Sequence, residues 1–172
     1  IHGDAVERAI APRAASTFAV QMALVENDTA MLAAGITTAF LSLTDSPEPG
    51  LRSRSTIRSV IEALRNDDLP LGTDTRVHVR HEILQTDHHP ELCDWLEAGD
   101  VGIVSLNDHY PVHDDAELRR HAIHLSHRIH APIEEIEAIL RGAWERRDVG
   151  EKQVTDIADV CARTKVPMAS HD

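Results

Sequence analysis

The chain has 172 residues, 42% hydrophobic and 27% charged, ordinary values for one globular domain large enough to bury a core. A formal net charge of −12, from 29 acidic against 17 basic residues, argues against the basic surface that non-specific nucleic-acid binding requires. No apolar run approaches the roughly 18 residues of a membrane helix, and the opening Ile1-His2-Gly3-Asp4 has neither the basic nor the apolar region of a secretory signal.

That opening also lacks an initiator Met, so the segment reads as the interior of a larger protein. Cys93 and Cys161 each fall in an amphipathic helical stretch without CxxC spacing, which predicts two buried free thiols in a reducing compartment, the cytoplasm. The 12 histidines are an unusual load, and imidazole serves equally as metal ligand and neutral-pH acid or base.

In chain order, residues 1–4 read as the end of a strand. Phe18 to Ala34 reads as a helix with Phe18, Met22, Val25, Met31 and Leu32 at helical spacing, Asn27, Asp28 and Thr29 on another face, and Gly35 as its stop. Ile36 to Leu43 is rich in β-formers, and Thr44 to Arg54 is a loop carrying Pro47, Pro49 and Gly50. Ser55 to Asn66 predicts a helix with Ile57, Val60, Ile61 and Leu64 on one stripe, capped by Ser53 or Ser55. Thr75 to Leu84 is a strand, Pro90 to Ala98 a short helix closed by Gly99, and Val101 to Asn107 a strand. Asp114 to Ile129 is a helix, Pro132 opens another, Val149 and Gly150 form a break, Gln153 to Thr164 is a further helix, and Val166 to Ala169 a last strand.

Regular β/α alternation predicts an α/β fold with a parallel sheet, because parallel neighbours need crossover helices. A closed barrel and a doubly wound sheet both fit. Neither GxGxxG nor GxxxxGK[ST] occurs, which favours a partial (β/α)8 barrel, strands one to about five, over a nucleotide-binding sheet.

Polar residues gather at the carboxyl ends of the predicted strands. His2 and Asp4 end the first, Glu82 is near the end of the third, Asn107, Asp108 and His109 follow the fourth, and Ser170, His171 and Asp172 follow the fifth. A (β/α)8 barrel builds its active site on that rim. Period-two alternation points His2 and Asp4 the same way. In the third strand it sets Arg76, His78, Arg80 and Glu82 on one face and Val77, Val79, His81 and Ile83 on the other, apolar and helix-covered one. Taken singly, each has a bland reading: a frayed terminus for His2 and Asp4, a salt bridge to Arg80 or Arg76 for Glu82, a capping loop histidine for His109 and His171. Their recurrence at one end of four strands is what points to a site. His88 and His89 read as a solvated loop, and His121, His124 and His127 as a polar helix face. Glu134, Glu135 and Glu137 read as first-turn acids favoured by the helix dipole.

The runs His2-Gly3-Asp4, Ala11-Pro12-Arg13 and Ala33-Ala34-Gly35-Ile36-Thr37-Thr38 resemble the opening of an amidohydrolase-superfamily barrel. Val77-His78-Val79-Arg80-His81-Glu82, Val104-Ser105-Leu106-Asn107-Asp108-His109 and Ala169-Ser170-His171-Asp172 resemble its phosphonate-metabolism branch, the diphosphatases of the carbon–phosphorus lyase pathway. The resemblance spans His2 to Asp172. It implies a hydrolase releasing pyrophosphate from a ribose 5-triphosphate that bears a 1-phosphonate, so the implied partner is a small sugar phosphate or phosphonate, with no nucleic acid, no membrane, and room for a homo-oligomer. It implies a divalent metal ion held by His2, Asp4, Glu82 and His171, with His109 as further ligand or phosphate contact. The first-strand motif is His-x-Asp here, where most of the superfamily has His-x-His. A carbamylated lysine bridge is not expected, since Lys152 and Lys165, the only lysines, lie off the strands.

Such an ion supplies a nucleophilic water and neutralises phosphoryl charge. Mixed imidazole and carboxylate ligands suit zinc, manganese or iron alike. Arg80 and Arg13 are the residues to clamp phosphate oxygens. A barrel takes about 250 residues, so strands six to eight, the late-strand aspartate that acts as general base, and the β-domain flanking the barrel are expected outside residues 1–172, and the segment alone is expected to be inactive and poorly soluble. Two other readings stand: another amidohydrolase, such as a sugar-phosphate deacetylase or cyclic-amide hydrolase, and an inactive fragment with a structural or weak metal-binding role.

Overall fold

A computed structural model describes residues 2–13, 16–110 and 114–170. Five parallel strands form one sheet in the sequential order β1 (His2–Gly3), β2 (Thr38–Asp45), β3 (Asp74–Glu82), β4 (Val101–Asn107), β5 (Met168–Ser170). The helices are α1 (Ala5–Ile10), α2 (Val20–Ala33), α3 (Arg54–Leu64), α4 (His89–Ala98), α5 (Asp115–Ile129), α6 (Ile133–Glu145) and α7 (Arg147–Thr164). The α/β class and the parallel sheet agree with the β/α alternation of the sequence. The strand order never reverses, so among the described residues the sheet has no switch point of the kind that defines doubly wound folds.

One apolar cluster joins the sheet to the helices. Leu41 and Leu43 of β2, Val77 and Val79 of β3, and Val104 of β4 pack against α1, α2, α3, α4 and α7. Alternation then puts Ser42, Thr44, His78, Arg80, Glu82, Ser105 and Asn107 on the opposite face. A β-bulge keeps this in phase. Val77 pairs with Val101 but His78 pairs with Ile103, so Gly102 is an extra residue in β4, and Ser105 and Asn107 are re-aimed beside Arg80 and Glu82. A second, separate cluster joins α5 and α6 to Leu84 and Tyr110, the residues just past β3 and β4. The α5–α6 hairpin is thus an insertion at the carboxyl end of β4, and α7 is the helix that returns the chain to β5.

Besides shifts at element ends, such as β2 running on through Thr44 and Asp45 of the expected loop, three departures from the sequence reading bear on packing. Helix α1 was not expected from the short run after Asp4. Helix α2 turns its other face inward: Ala23, Leu24, Asn27 and Asp28 are buried, while Phe18, before its start, and Met22 are 50% and 62% exposed. Asp28 decides this, accepting from Gly72 N–H (2.9 Å), Thr73 N–H (2.8 Å) and Thr73 Oγ1 (2.7 Å). Burial alone would push its carboxyl up, but these hydrogen bonds outweigh it and hold the group below the usual range. Replacing Asp28 with Ala orphans two backbone donors, and the expected loss is about 2–3 kcal/mol, to be read from urea unfolding midpoints. Third, Val149 and Gly150 do not break the chain. Helix α7 runs through both, and Gly150 serves instead as a point of close approach, where an added methyl group would lie 1.9 Å from the Ile83 carbonyl oxygen.

Candidate functional site

The parallel register sets Thr44, Arg80 and Ser105 side by side across β2, β3 and β4, and Glu82 beside Asn107 one step further on. Deeper in the sheet, His78 Nε2 and Ser105 Oγ share a 3.1 Å hydrogen bond. Glu82 is 3% exposed. Its Oε1 lies 2.5 Å from His109 Nδ1, and its Oε2 accepts from the His109 backbone N–H at 3.2 Å. One carboxylate therefore fixes both the ring and the chain of the residue that follows β4. Asn107 is 1% exposed, and neither atom of its amide has a hydrogen-bond partner among the described residues.

Above these strand ends lies a cavity of about 350 Å³. Arg80 and Glu82 of β3, His109 after β4, Arg52 of the loop after β2, and His121, His124 and Arg128 of α5 line it. Arg128 Nη2 bonds Glu48 Oε1 at 2.5 Å, and burial pushes the Glu48 carboxyl up. The Tyr110 hydroxyl bonds Ser46 Oγ, and its ring meets His121 edge-on with centroids 5.4 Å apart. Burial pushes the Tyr110 phenol above its usual range and the His121 imidazole below it. Arg80 makes no hydrogen bond or close ion pair among the described residues, though its charge reaches the buried Glu7 carboxyl. Three arginines against two glutamates, with three histidines beside them, leave a local excess of positive charge in an acidic chain.

A second cavity, of about 440 Å³, shares Glu48, Arg52 and Arg128 with the first. Arg13 lines this one, donating through Nε to Ser16 Oγ at 3.3 Å.

Of the residues singled out from the sequence, the structure brings Glu82, His109 and Arg80 together in the first cavity and puts Arg13 in the second. Asp4 is 56% exposed on its side chain and faces Arg8 at 3.7 Å. Asp108, beside His109, is held by Arg147 of α7. His2 pairs through β1 with Phe40; its side chain, and His171 and Asp172 altogether, lie outside the described residues. Among the described residues no three His, Cys, Asp or Glu side chains are gathered closely enough to hold a metal ion. Glu82 and His109 are two nitrogen and oxygen donors of the type a divalent ion takes, and the orphaned amide of Asn107 stands next to Glu82 in the register.

The sequence reading missed His121 and His124. They read as a polar face, yet that face closes the cavity; their i, i+3 spacing, with Arg128 one turn on, was the available signal. It also missed a buried ion cluster on the helix-covered face. His81, assigned there among apolar neighbours, places Nδ1 2.8 Å from Asp45 Oδ2, and Arg54 of α3 donates to both Asp45 oxygens. His89, read as solvated, has a largely buried side chain, and its Nε2 is 3.5 Å from Asp156. Cys93 and Cys161 are free thiols, Cys161 buried as expected but Cys93 only half-buried, and no described helix is long and apolar enough to cross a membrane. No protein-family model, curated protein or solved structure matches the chain.

Proposed function

We propose that this chain acts in a metal-dependent diphosphatase of phosphonate metabolism, releasing pyrophosphate from α-D-ribose 1-methylphosphonate 5-triphosphate. The observation that carries the reading is the cationic cavity at the carboxyl ends of β2, β3 and β4, where Arg52, Arg80, Arg128 and three histidines surround the buried Glu82. The reading takes the sheet as an arc of a (β/α)8 barrel. Sequential strand order, one helix-covered face, and polar residues on the other face with a cavity at its carboxyl end support that.

In this reading His109 would hold the divalent ion through Nε2, with Glu82 fixing that ring and, like His2, Asp4 and His171, a candidate for a further ligand once its bond to His109 is released; when bound, the ion would lower the pKa of a water and neutralise phosphoryl charge. Everything else falls to side chains of the chain. Arg80, Arg52 and Arg128 bind and orient phosphoryl oxygens, a planar donor fork being suited to that. Glu82 accepts from His109 Nδ1–H, which fixes the ring tautomer with its lone pair on Nε2. His121, kept neutral by burial, places a second uncharged imidazole against the same space.

Arg80→Ala is expected to weaken pyrophosphate binding about tenfold or more, the worth of one or two charge-assisted hydrogen bonds. Calorimetric titration of pyrophosphate, followed by assay of pyrophosphate release from a ribose 5-triphosphate with zinc, manganese or iron, checks both halves. Binding indifferent to Arg80 would falsify the phosphate reading. Deacetylation of an N-acetyl sugar phosphate, without anhydride cleavage, would shift the reading to a sugar-phosphate deacetylase.

A further inference from the structure

The three arginines of the first cavity are not equally free to meet a ligand. Arg80 has no close ion pair among the described residues, and Arg52 Nε lies 3.7 Å from Glu7 Oε2. Arg128 is already engaged, because its Nη2 donates to Glu48 Oε1 at 2.5 Å. Glu48 is held firmly in that position. It is 7% exposed, and its backbone N–H donates to Ser46 Oγ at 3.1 Å, the same hydroxyl that bonds Tyr110. The cavity therefore carries an internal carboxylate at the point where an incoming anion would meet Arg128. Burial pushes the Glu48 carboxyl up, Arg128 and then Arg52 pull it down, and Glu82 pushes it up again. An anion that draws Arg128 away removes the main downward pull and adds a negative charge nearby. Both changes favour the protonated carboxyl.

We propose that Glu48 is a built-in competitor for Arg128, an autoinhibitory contact that a bound anion must displace, and that displacement is coupled to uptake of one proton by Glu48. The inference rests on the phosphate reading of the first cavity and adds its regulation. The proton comes from solvent and goes to the carboxylate that Arg128 releases, so acid strengthens anion binding through this residue. Other groups face Glu48 as well. His109, His121, His124 and Tyr110 do so from the first cavity, and Glu7, Arg8, Arg13 and His130 from the second. All of them stay in place when Glu48 alone is changed, so the difference between parent and variant isolates Glu48.

The probe is pyrophosphate, titrated calorimetrically into the 172-residue chain without divalent ions, in buffers of different ionisation enthalpy, so that affinity and protons taken up are read together. Glu48→Gln keeps the shape of the side chain and neutralises the competitor. Near neutral pH it is expected to bind pyrophosphate at least about tenfold more tightly than the parent and to take up fewer protons. The gap in affinity narrows as the pH falls, because the parent's Glu48 is then protonated without a ligand. Arg128→Ala is the second variant, at an exposed position. It also loses the extra proton uptake, but it binds more weakly than the parent. These opposite changes in affinity separate competition from a general loss of structure, and far-ultraviolet circular dichroism verifies both folds. Binding by Glu48→Gln that is no tighter than the parent's, with equal proton uptake, overturns the competition while leaving the phosphate site. Failure of pyrophosphate to bind parent and variants alike overturns the phosphate reading as well.

Discussion

Arg54→Leu is expected to lower stability by about 3–5 kcal/mol, a large part of the roughly 5–15 kcal/mol that holds a domain folded. Asp45 is fully buried and Arg54 nearly so, with side-chain exposures of 0% and 4%. The guanidinium donates through Nε to both Asp45 oxygens at 3.1 Å and through Nη2 to Oδ2 at 2.5 Å. Its Nη1 reaches the His88 carbonyl at 2.5 Å, and the group lies 5.5 Å from the centroid of the Trp95 ring. Leucine fills some of that volume but leaves a carboxylate buried with only His81 beside it. Removing both charges costs less than removing one, because no ion is then left unpaired; Asp45→Leu combined with Arg54→Leu should recover much of the loss.

The pH dependence has a definite sign. Burial pushes the Asp45 carboxyl up, but the hydrogen bonds from His81 and Arg54 outweigh it, so the folded-state value lies below the ordinary 3.8. A depressed carboxylate stabilises the fold above its unfolded value, and that contribution disappears as the pH falls through the folded one. The gap between the parent and Arg54→Leu should therefore be widest near neutrality and narrow below about pH 4. Guanidinium unfolding at several pH values measures it; a gap that widens in acid would show that the Asp45 charge is not what Arg54 compensates.

The second large effect belongs to Gly150. An added methyl would stand 1.9 Å from the Ile83 carbonyl oxygen and 3.0 Å from its carbon, both backbone atoms at the end of β3. Neither can swing aside as a side chain would. Alanine favours a helix over glycine by about 1 kcal/mol, yet Gly150→Ala is expected to destabilise by about 2–4 kcal/mol as α7 is forced off the strand. Gly142 in α6 provides the contrast, since a methyl there meets only Arg146 Nη1 at 3.9 Å. Gly142→Ala should stabilise by up to about 1 kcal/mol. Thermal unfolding of the two variants must move in opposite directions; a shared direction would mean that propensity, not the close approach, governs Gly150.

Both features show where sequence reading ends. The strand β4 matches its predicted bounds of Val101 to Asn107, and the helices α3 to α6 fall within a residue or two of expectation, because apolar periodicity and caps are local signals. Gly99 as helix terminator belongs to the same class, with its positive φ of 80°. Gly150 does not. In a string of residues a glycine that lets two backbones touch looks the same as one that ends a helix. The inward face of α2 was misjudged for a similar reason: Asp28 faces inward for the Gly72–Thr73 turn, 44 and 45 residues away.

The candidate site divides the same way. Glu82, His109 and Arg80 were legible, since strand alternation and position at strand ends are written in the sequence. His121 and His124 were not, because their meaning depends on where the α5–α6 hairpin folds back, and nothing local states that. Asp45, Arg54 and His81 come together from β2, α3 and β3, and only the register of Asp45 against His81 makes the pairing visible.

The hairpin has its own apolar cluster, with no residue in common with the one beneath the sheet. The α5 side of the cavity and the frame beneath the sheet are therefore packed by different residues. Changes to the apolar side of α5 are expected to act on the packing of the hairpin, while Arg80 and Glu82 stay anchored on β3 and Arg128 ties the hairpin to Glu48 of the loop after β2. A lineage built this way is free to explore new ligands through one module while the other keeps its architecture.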